Sequence, residues 1–186
     1  LCIPELMRIF VDDYHYDWDT AWDIVCNTVA YTNHTVLAEA LEKWPEDLIE
    51  RRLPRIHMII KEINQRFCNS MWEKFPGEWE KIERMAVLSH SQVRMANLSV
   101  IGSHKVNGVS ALHSDILTKT IFKDFADTTP EKFTNVTNGI AHRRWLCQSN
   151  PELTALLTEL IGDGFVYKAD ELLKLQKFAD DKKVLD

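Results

Sequence analysis

No apolar run in this sequence approaches the ~20 residues that a bilayer-crossing helix needs, which excludes a membrane-spanning protein. No cluster of Lys and Arg is present either. With 22 Lys+Arg against 28 Asp+Glu the net charge is −6, the wrong sign for binding nucleic acid or an anionic membrane surface. Cysteine is scarce. Cys2, Cys26, Cys68 and Cys147 stand far apart and form no CxxC pair, which argues against a zinc site and against a disulfide scaffold. A reducing compartment, the cytoplasm, is expected. The seven histidines (His15, His34, His57, His90, His104, His113, His142) include no HExxH or other metal-ligand spacing, so no metal is expected. A GxSxG elbow, a Walker A loop, a GxGxxG fingerprint and any internal repeat are all missing.

What remains is a globular composition. The 186 residues are 45% hydrophobic and 27% charged, enough for one ordinary domain. Six Trp, eight Phe and four Tyr require burial. Helical spacing runs through Ile3, Leu6, Met7 and Phe10, then through Trp18, Ala21, Trp22 and Val25 behind a cap at Asp17–Asp19. From Glu46 to Phe75 the pattern is helical again and is broken at Pro54. Pro76-Gly77 closes it, and Trp79, Ile82 and Met85 begin another helix. Further helices are expected over 111–125, from Pro151 to Gly162 and over 170–178. Val29 to Thr35 reads as a loop or short extended piece. Two or three short strands are expected: Leu98–Ile101 reads as one and Phe133 to Ile140 as a second, with Thr134–Thr137 as its surest part. The predicted core holds Trp18, Trp22, Ile59, Ile63, Leu98, Ile101, Ile116 and Leu157. Two strands alone make no stable sheet, so they call for partners outside the chain. The chain also opens on Leu1 with no charged lead-in, and it reads as a segment from inside a longer polypeptide.

Three turns concentrate polar side chains: Tyr31–Thr35, Gly102–Val109 and Asn135–Gly139. Each follows or interrupts an apolar segment, where loops at strand ends gather ligand groups in α/β proteins. Their His, Asn, Ser and Thr are neutral donors and acceptors beside glycines, and Lys105 alone adds charge. That chemistry suits a hydroxyl-rich ligand such as a sugar better than a phosphate. Taken singly, each turn is better explained as a turn and nothing more; only the three together favour a site, and weakly.

The residues of these turns also carry a resemblance. IPELMRIFVDD, AYTNHTVLAEALEKWPEDLIERRLPRI, EINQRF, MANLSVIGSHKVNGVSALHSDILT, FKDF, TNVTNGIAHRRWL and NPEL follow one another as they do in the α-glucan phosphorylases, the family of glycogen, starch and maltodextrin phosphorylases. The resemblance covers nearly the whole chain. It implies an α/β, helix-rich middle portion of a two-lobed GT-B-type (Rossmann-like) glycosyltransferase. Residues 1–138 would end the first lobe and 139–186 begin the second, cofactor lobe. It implies cleavage of terminal α-1,4-glucosidic bonds by phosphate to give glucose 1-phosphate, with pyridoxal 5'-phosphate as cofactor and a homodimer as the full enzyme.

By that resemblance His34 is the residue at the reaction centre. It would hydrogen-bond the sugar's 6-hydroxyl and place its backbone carbonyl near the reacting carbon. Asn138 would hold the same hydroxyl, so the two are expected close in space. Gly108 and Val109 would wall the sugar ring, and Trp145 would line the cofactor pocket. Ala38 and Ala141-His142 depart from the family's usual proline and Thr-Pro. The lysine that anchors the cofactor and the basic residues for the substrate phosphate belong to segments this chain lacks. The isolated chain is therefore expected to be inactive and prone to self-association through Trp145 and the helix of Leu153 to Leu160. The alternative is a noncatalytic helical remnant that binds carbohydrate or protein.

Overall fold

The computed structural model describes residues 1–185. The chain divides into two compact units, Leu1–Thr137 and Asn138–Asp186. No helix among the described residues is long and apolar enough to cross a membrane.

In the first unit, helix α1 (Cys2–Arg8) buries Ile3 and Met7 and runs on into a wider π-helical turn, Ile9–Asp13. Helix α2 (Trp18–Thr28) starts where the Asp17 carboxylate accepts from the Thr20 backbone N–H at 3.0 Å, a side-chain cap for an otherwise orphaned donor. Ala21 and Val25 carry its buried stripe. Strand β1 (Ala30–Thr32) follows where the helical period fails, and β2 (Lys43–Pro45) leads into helix α3 (Glu46–Arg52). Pro54 then opens the long helix α4 (Pro54–Lys74). A proline disfavours helical backbone in the residue before it, and Leu53 accordingly leaves the helical region. Helix α5 (Trp79–Met85), the hairpin of β3 (Leu88–Ser89) and β4 (Gln92–Arg94), and helix α6 (Met95–Ile101) come next. Strand β5 (Lys105–Gly108), helices α7 (Ala111–Lys119) and α8 (Lys123–Thr128), and strand β6 (Phe133–Asn135) complete the unit.

The expected strand Leu98–Ile101 is the end of helix α6. Leu98, Val100 and Ile101 are all buried, and an apolar run covered on every side shows neither the period of 2 nor that of 3.6. The second expected strand is shorter than foreseen: it starts at Phe133 and stops at Asn135, two residues before Thr137. The helix expected over 111–125 is two helices, broken where Phe122 turns fully inward. Of the predicted core, Ile59, Ile63, Leu98, Ile101 and Leu157 are buried. Trp18 and Trp22 are half-buried at its margin, and Ile116 gives the inner place to Leu117.

The strands find partners inside the chain, contrary to expectation, because among the described residues six short strands form where two or three were foreseen. One sheet is parallel, in the order β1-β5-β6, with Tyr31 opposite Val106 and Asn107 opposite Thr134. The other is antiparallel, in the order β2-β4-β3, with Trp44 and Leu88 on either side of Val93. Helices supply the cover that three-residue strands need. Two asparagines, Asn64 half-buried and Asn97 buried, fasten the second sheet and its approach to the helices. Asn64 of α4 accepts from the backbone N–H groups of Val87 and Leu88, and Asn97 of α6 donates to the carbonyls of Arg84 and Ala86. His57 is a satisfied core residue, buried on α4 with its Nε2 2.9 Å from Glu46.

The second unit begins with a π-helical turn, Arg143–Gln148. Helix α9 (Pro151–Ile161) has the cap and stop that its sequence announces. The Asn150 side chain accepts from Leu153 N–H, Pro151 takes the first helical position, and Gly162 ends the helix at φ +78°. Phe165 is fully buried, and His142 Nε2 donates to its carbonyl at 2.9 Å. The segment Ala169–Phe178, expected as an α-helix, winds as a 3-10 helix, and a single turn, α10 (Lys182–Leu185), follows.

Candidate functional site

The three strands of the parallel sheet point the same way, so their carboxyl ends share one edge, and polar residues follow each of them. After β1 come Asn33, His34 and Thr35. At and after the end of β5 come Gly108, Val109 and Ser110. After β6 come Val136 and Thr137. Open α/β sheets bind ligands outside this edge.

Hydrogen bonds knit the three turns together. Asn33 N–H donates to the Asn107 carbonyl at 2.9 Å, and Thr32 Oγ1 donates to Asn107 Oδ1 at 2.8 Å. Val136 N–H donates to the Gly108 carbonyl at 3.1 Å. Ser114 Oγ donates to Asn135 Oδ1 at 2.9 Å, which ties the start of α7 to the end of β6. Asn33 is buried. Its side-chain oxygen accepts from Thr35 N–H, and its amide donates to the Tyr31 hydroxyl at 3.0 Å. Burial pushes the Tyr31 phenol above its ordinary value of 10.0, against the smaller opposing effect of the Asn33 bond. Gly108 is required by contact rather than by backbone angle. A Cβ there would lie 2.5 Å from Ser114 Oγ and 2.9 Å from the Ser114 backbone N and Cα.

His113 reaches across this edge from the first turn of α7. Val109 N–H donates to its Nδ1 at 3.0 Å, and its Nε2 lies 3.3 Å from the Thr35 carbonyl oxygen. Its own backbone N–H donates to the cap residue Ser110.

Of the residues singled out in the sequence, His34, Gly108 and Val109 meet at this edge. The His34 imidazole is exposed, Gly108 is buried and Val109 half-buried. Asn138 and Trp145 belong to the second unit, both exposed, Trp145 at 67%. The turn expected over 102–109 divides between the two ends of β5. Gly102, Ser103 and His104 lie before the strand, and only Gly108 and Val109 reach the carboxyl edge. Lys105 stays at the amino end of β5, where its ammonium donates to the Glu131 carbonyl at 2.7 Å. The edge is thus lined by neutral groups, which orient hydroxyls rather than bind anions. The reading of the turns passed over Asn33 and His113 as individuals. A signal for His113 was present: Ser110 is followed three residues later by a polar side chain, the spacing of a capping box.

An apolar hollow of about 390 Å³ lies elsewhere in the first unit, bordered by Trp18, Trp22, Phe67, Phe125 and Lys132. Its charged groups are engaged. Arg66 pairs with Glu62 and Asp19, and Lys132 Nζ donates to the carbonyls of Val100 and Ile101. Burial pushes Lys132 below the usual lysine value, but those carbonyls hold its amine, and Arg66 in the same hollow is already paired with carboxylates. Pyridoxal phosphate needs a lysine amine free to bond its aldehyde and donors for its phosphate. Lys132 does not fit that role, and Trp145 offers an exposed indole wall alone. Among the described residues no group of three or more His, Cys, Asp or Glu side chains is placed to hold a metal.

The family model for carbohydrate phosphorylases matches residues 1–186. Glycogen phosphorylase of Bacillus subtilis is 50% identical over 186 residues, covering 100% of this chain and 23% of the relative. The muscle form of glycogen phosphorylase from Homo sapiens is 53% identical over 185 residues, covering 98% of the chain and 22% of the relative. The bovine muscle form is 50% identical over 188 residues. The chain therefore spans less than a quarter of the length of these relatives. It belongs to the carbohydrate phosphorylase family.

Proposed function

We propose that this chain is the middle portion of an α-glucan phosphorylase, the enzyme that cleaves a terminal α-1,4-glucosidic bond with inorganic phosphate and releases α-D-glucose 1-phosphate. The observation that carries the reading is the shared carboxyl edge of β1, β5 and β6. It gathers His34, Gly108 and Val109 among neutral donors and acceptors, in a chain about half identical to glycogen phosphorylases.

In this reading residues 1–138 close the first lobe of a GT-B-type body and 139–186 open the second. The terminal glucosyl unit lies against the edge. His34 offers its imidazole to the 6-hydroxyl, and its backbone carbonyl directs negative charge toward the carbon where positive charge builds as the glycosidic bond breaks. Gly108, having no Cβ, lets the sugar ring approach the backbone, and Val109 supplies an apolar face. Asn138 contributes an amide to the 6-hydroxyl, and Trp145 an indole wall to the cofactor. These are acts of binding and orientation, and orientation alone supplies a large share of such a barrier reduction. Pyridoxal 5'-phosphate belongs to the proposed activity, but Lys132, whose amine is held by the Val100 and Ile101 carbonyls, does not form its anchor. A homodimer working in the cytoplasm accompanies the same reading.

The test is phosphorolysis by the protein purified as its cells make it, with maltodextrin and phosphate, following glucose 1-phosphate. His34→Ala should lower turnover by about 10²-fold, the cost of lost orientation at a reacting centre. Its unfolding midpoint should stay put because the side chain is exposed. Undiminished turnover in the variant would remove His34 from the site. A wild-type protein that yields no glucose 1-phosphate would end the enzyme reading in favour of a binding remnant.

A further inference from the structure

We infer that His113 is a positioning residue for the proposed sugar site, a neutral imidazole latch between the turn carrying His34 and the turn carrying Gly108 and Val109. The inference rests on the phosphorylase reading for its consequence, but its geometry stands alone. A backbone N–H can only donate and a carbonyl can only accept. Val109 N–H at 3.0 Å therefore makes Nδ1 the unprotonated nitrogen, and the Thr35 carbonyl at 3.3 Å takes the proton side of Nε2. Both roles are set by partners of fixed polarity, so a single tautomer satisfies both bonds.

The latch joins residues adjacent to the functional ones. Thr35 follows His34, and Val109 follows Gly108. The His34 turn is otherwise held by Asn33, whose N–H donates to Asn107, and by three local bonds: the Asn33 amide to the Tyr31 hydroxyl, Thr35 N–H to Asn33 Oδ1 and Leu37 N–H to Thr35 Oγ1. Those local bonds shape the turn without fixing its distance from Val109. The His113 ring spans that gap from a helix whose own start is anchored by Ser110. A plain helix cap at this third position needs only an acceptor, as the Glu or Gln of a capping box provides. Imidazole adds a donor aimed at the opposite turn, and that second bond is what a cap does not require.

The two roles separate by substitution. His113→Gln retains an acceptor for Val109 and a donor for Thr35. His113→Glu retains the acceptor but sets a carboxylate against the Thr35 carbonyl. Two readouts apply to the protein purified as its cells make it, alongside His113→Ala. Amide hydrogen exchange without substrate should rise at residues 35–37 and at Val109 in the Ala and Glu variants and return toward wild type in Gln. Phosphorolysis of maltodextrin should fall by about 10²-fold in kcat/KM for Ala and Glu, mostly in kcat, and be largely restored by Gln. A Glu variant that matches Gln in exchange and in kcat/KM would reduce His113 to a helix cap and overturn the inference. So would an Ala variant with wild-type exchange. Because exchange needs no substrate, it judges the latch even if wild-type protein releases no glucose 1-phosphate, a result that would count against the enzyme reading instead.

Discussion

The two small sheets of the first unit are built from strands of similar length, yet they serve different ends. In the antiparallel sheet β2-β4-β3, neighbouring strands run in opposite directions, so the polar ends of the strands are shared between two edges. Its polar partners, half-buried Asn64 and buried Asn97, satisfy backbone groups of Val87 and Leu88 and of Arg84 and Ala86. In the parallel sheet β1-β5-β6 all three carboxyl ends face one way, and the polar residues after them accumulate at one edge. Strand direction, more than composition, separates a structural clip from the edge proposed to bind sugar. Similar inventories of Asn, Ser and His are spent on packing in one place and presented outward in the other.

The sharpest way to break the binding edge is to fill Gly108. Gly108→Ala would drive a methyl group into Ser114, whose backbone N and Cα lie within 2.9 Å of the new atom. Helix α7 must shift, at about 1–3 kcal/mol of stability. Chemical denaturation should register that loss, together with loss of phosphorolysis. An Ala variant of wild-type stability would mean that α7 yields freely.

On the clip side, Asn97→Ala should cost about 1–3 kcal/mol, because the buried carbonyls of Arg84 and Ala86 lose their donor. Its kcat on maltodextrin should remain within about twofold of wild type if the clip is structural, since effects at separated sites are nearly independent. A large loss of kcat at preserved stability would show the two sheets to be coupled.

The hairpin turn offers a gain. His90 and Ser91 both hold positive φ, 49° and 56°, the backbone that two-residue hairpins reserve for Asn and Gly. Ser91→Gly should raise stability by about 1 kcal/mol through relief of left-handed strain, read as a higher denaturation midpoint.

Opposite pH limits should give the smallest distinction. In the antiparallel region Glu83 is held below its ordinary 4.5, first by the Ser89 hydroxyl and then by Arg94. Its depressed folded value means a stabilising contribution present above 4.5 and lost as pH falls through that lowered value. In the parallel sheet Tyr31 is raised above 10.0 by burial. The folded form then holds its proton longer than the unfolded form, so stability declines as pH rises past 10. Glu83→Gln should flatten the acid limb of the stability profile, and Tyr31→Phe the alkaline limb. The change at Glu83 should be slight because Glu83 is exposed and screened.

The sequence by itself determined the features that local chemistry dictates. Pro54 had to start a helix, Asp17 and Asn150 had to cap one, and Gly162 had to stop one, since each acts on its own backbone or within one turn. The polar residues that follow β1 and β6 were legible too, though not the strand inside Gly102–Val109, and so was the family, from an ordered series of segments. Other features depended on residues far apart. Leu98–Ile101 carries strand-like residues but is surrounded on all sides by core, and tertiary burial erased the period that would have marked it as helix. The strands were undercounted because a three-residue strand has almost no pattern of its own, and it exists only through a partner such as Val106 for Tyr31. The division of the Gly102–Val109 stretch between two ends of β5 followed from that pairing. So did the meeting of Val109 and Thr35 on His113, 74 and more residues along the chain, where hydrogen-bond partners are chosen by the fold.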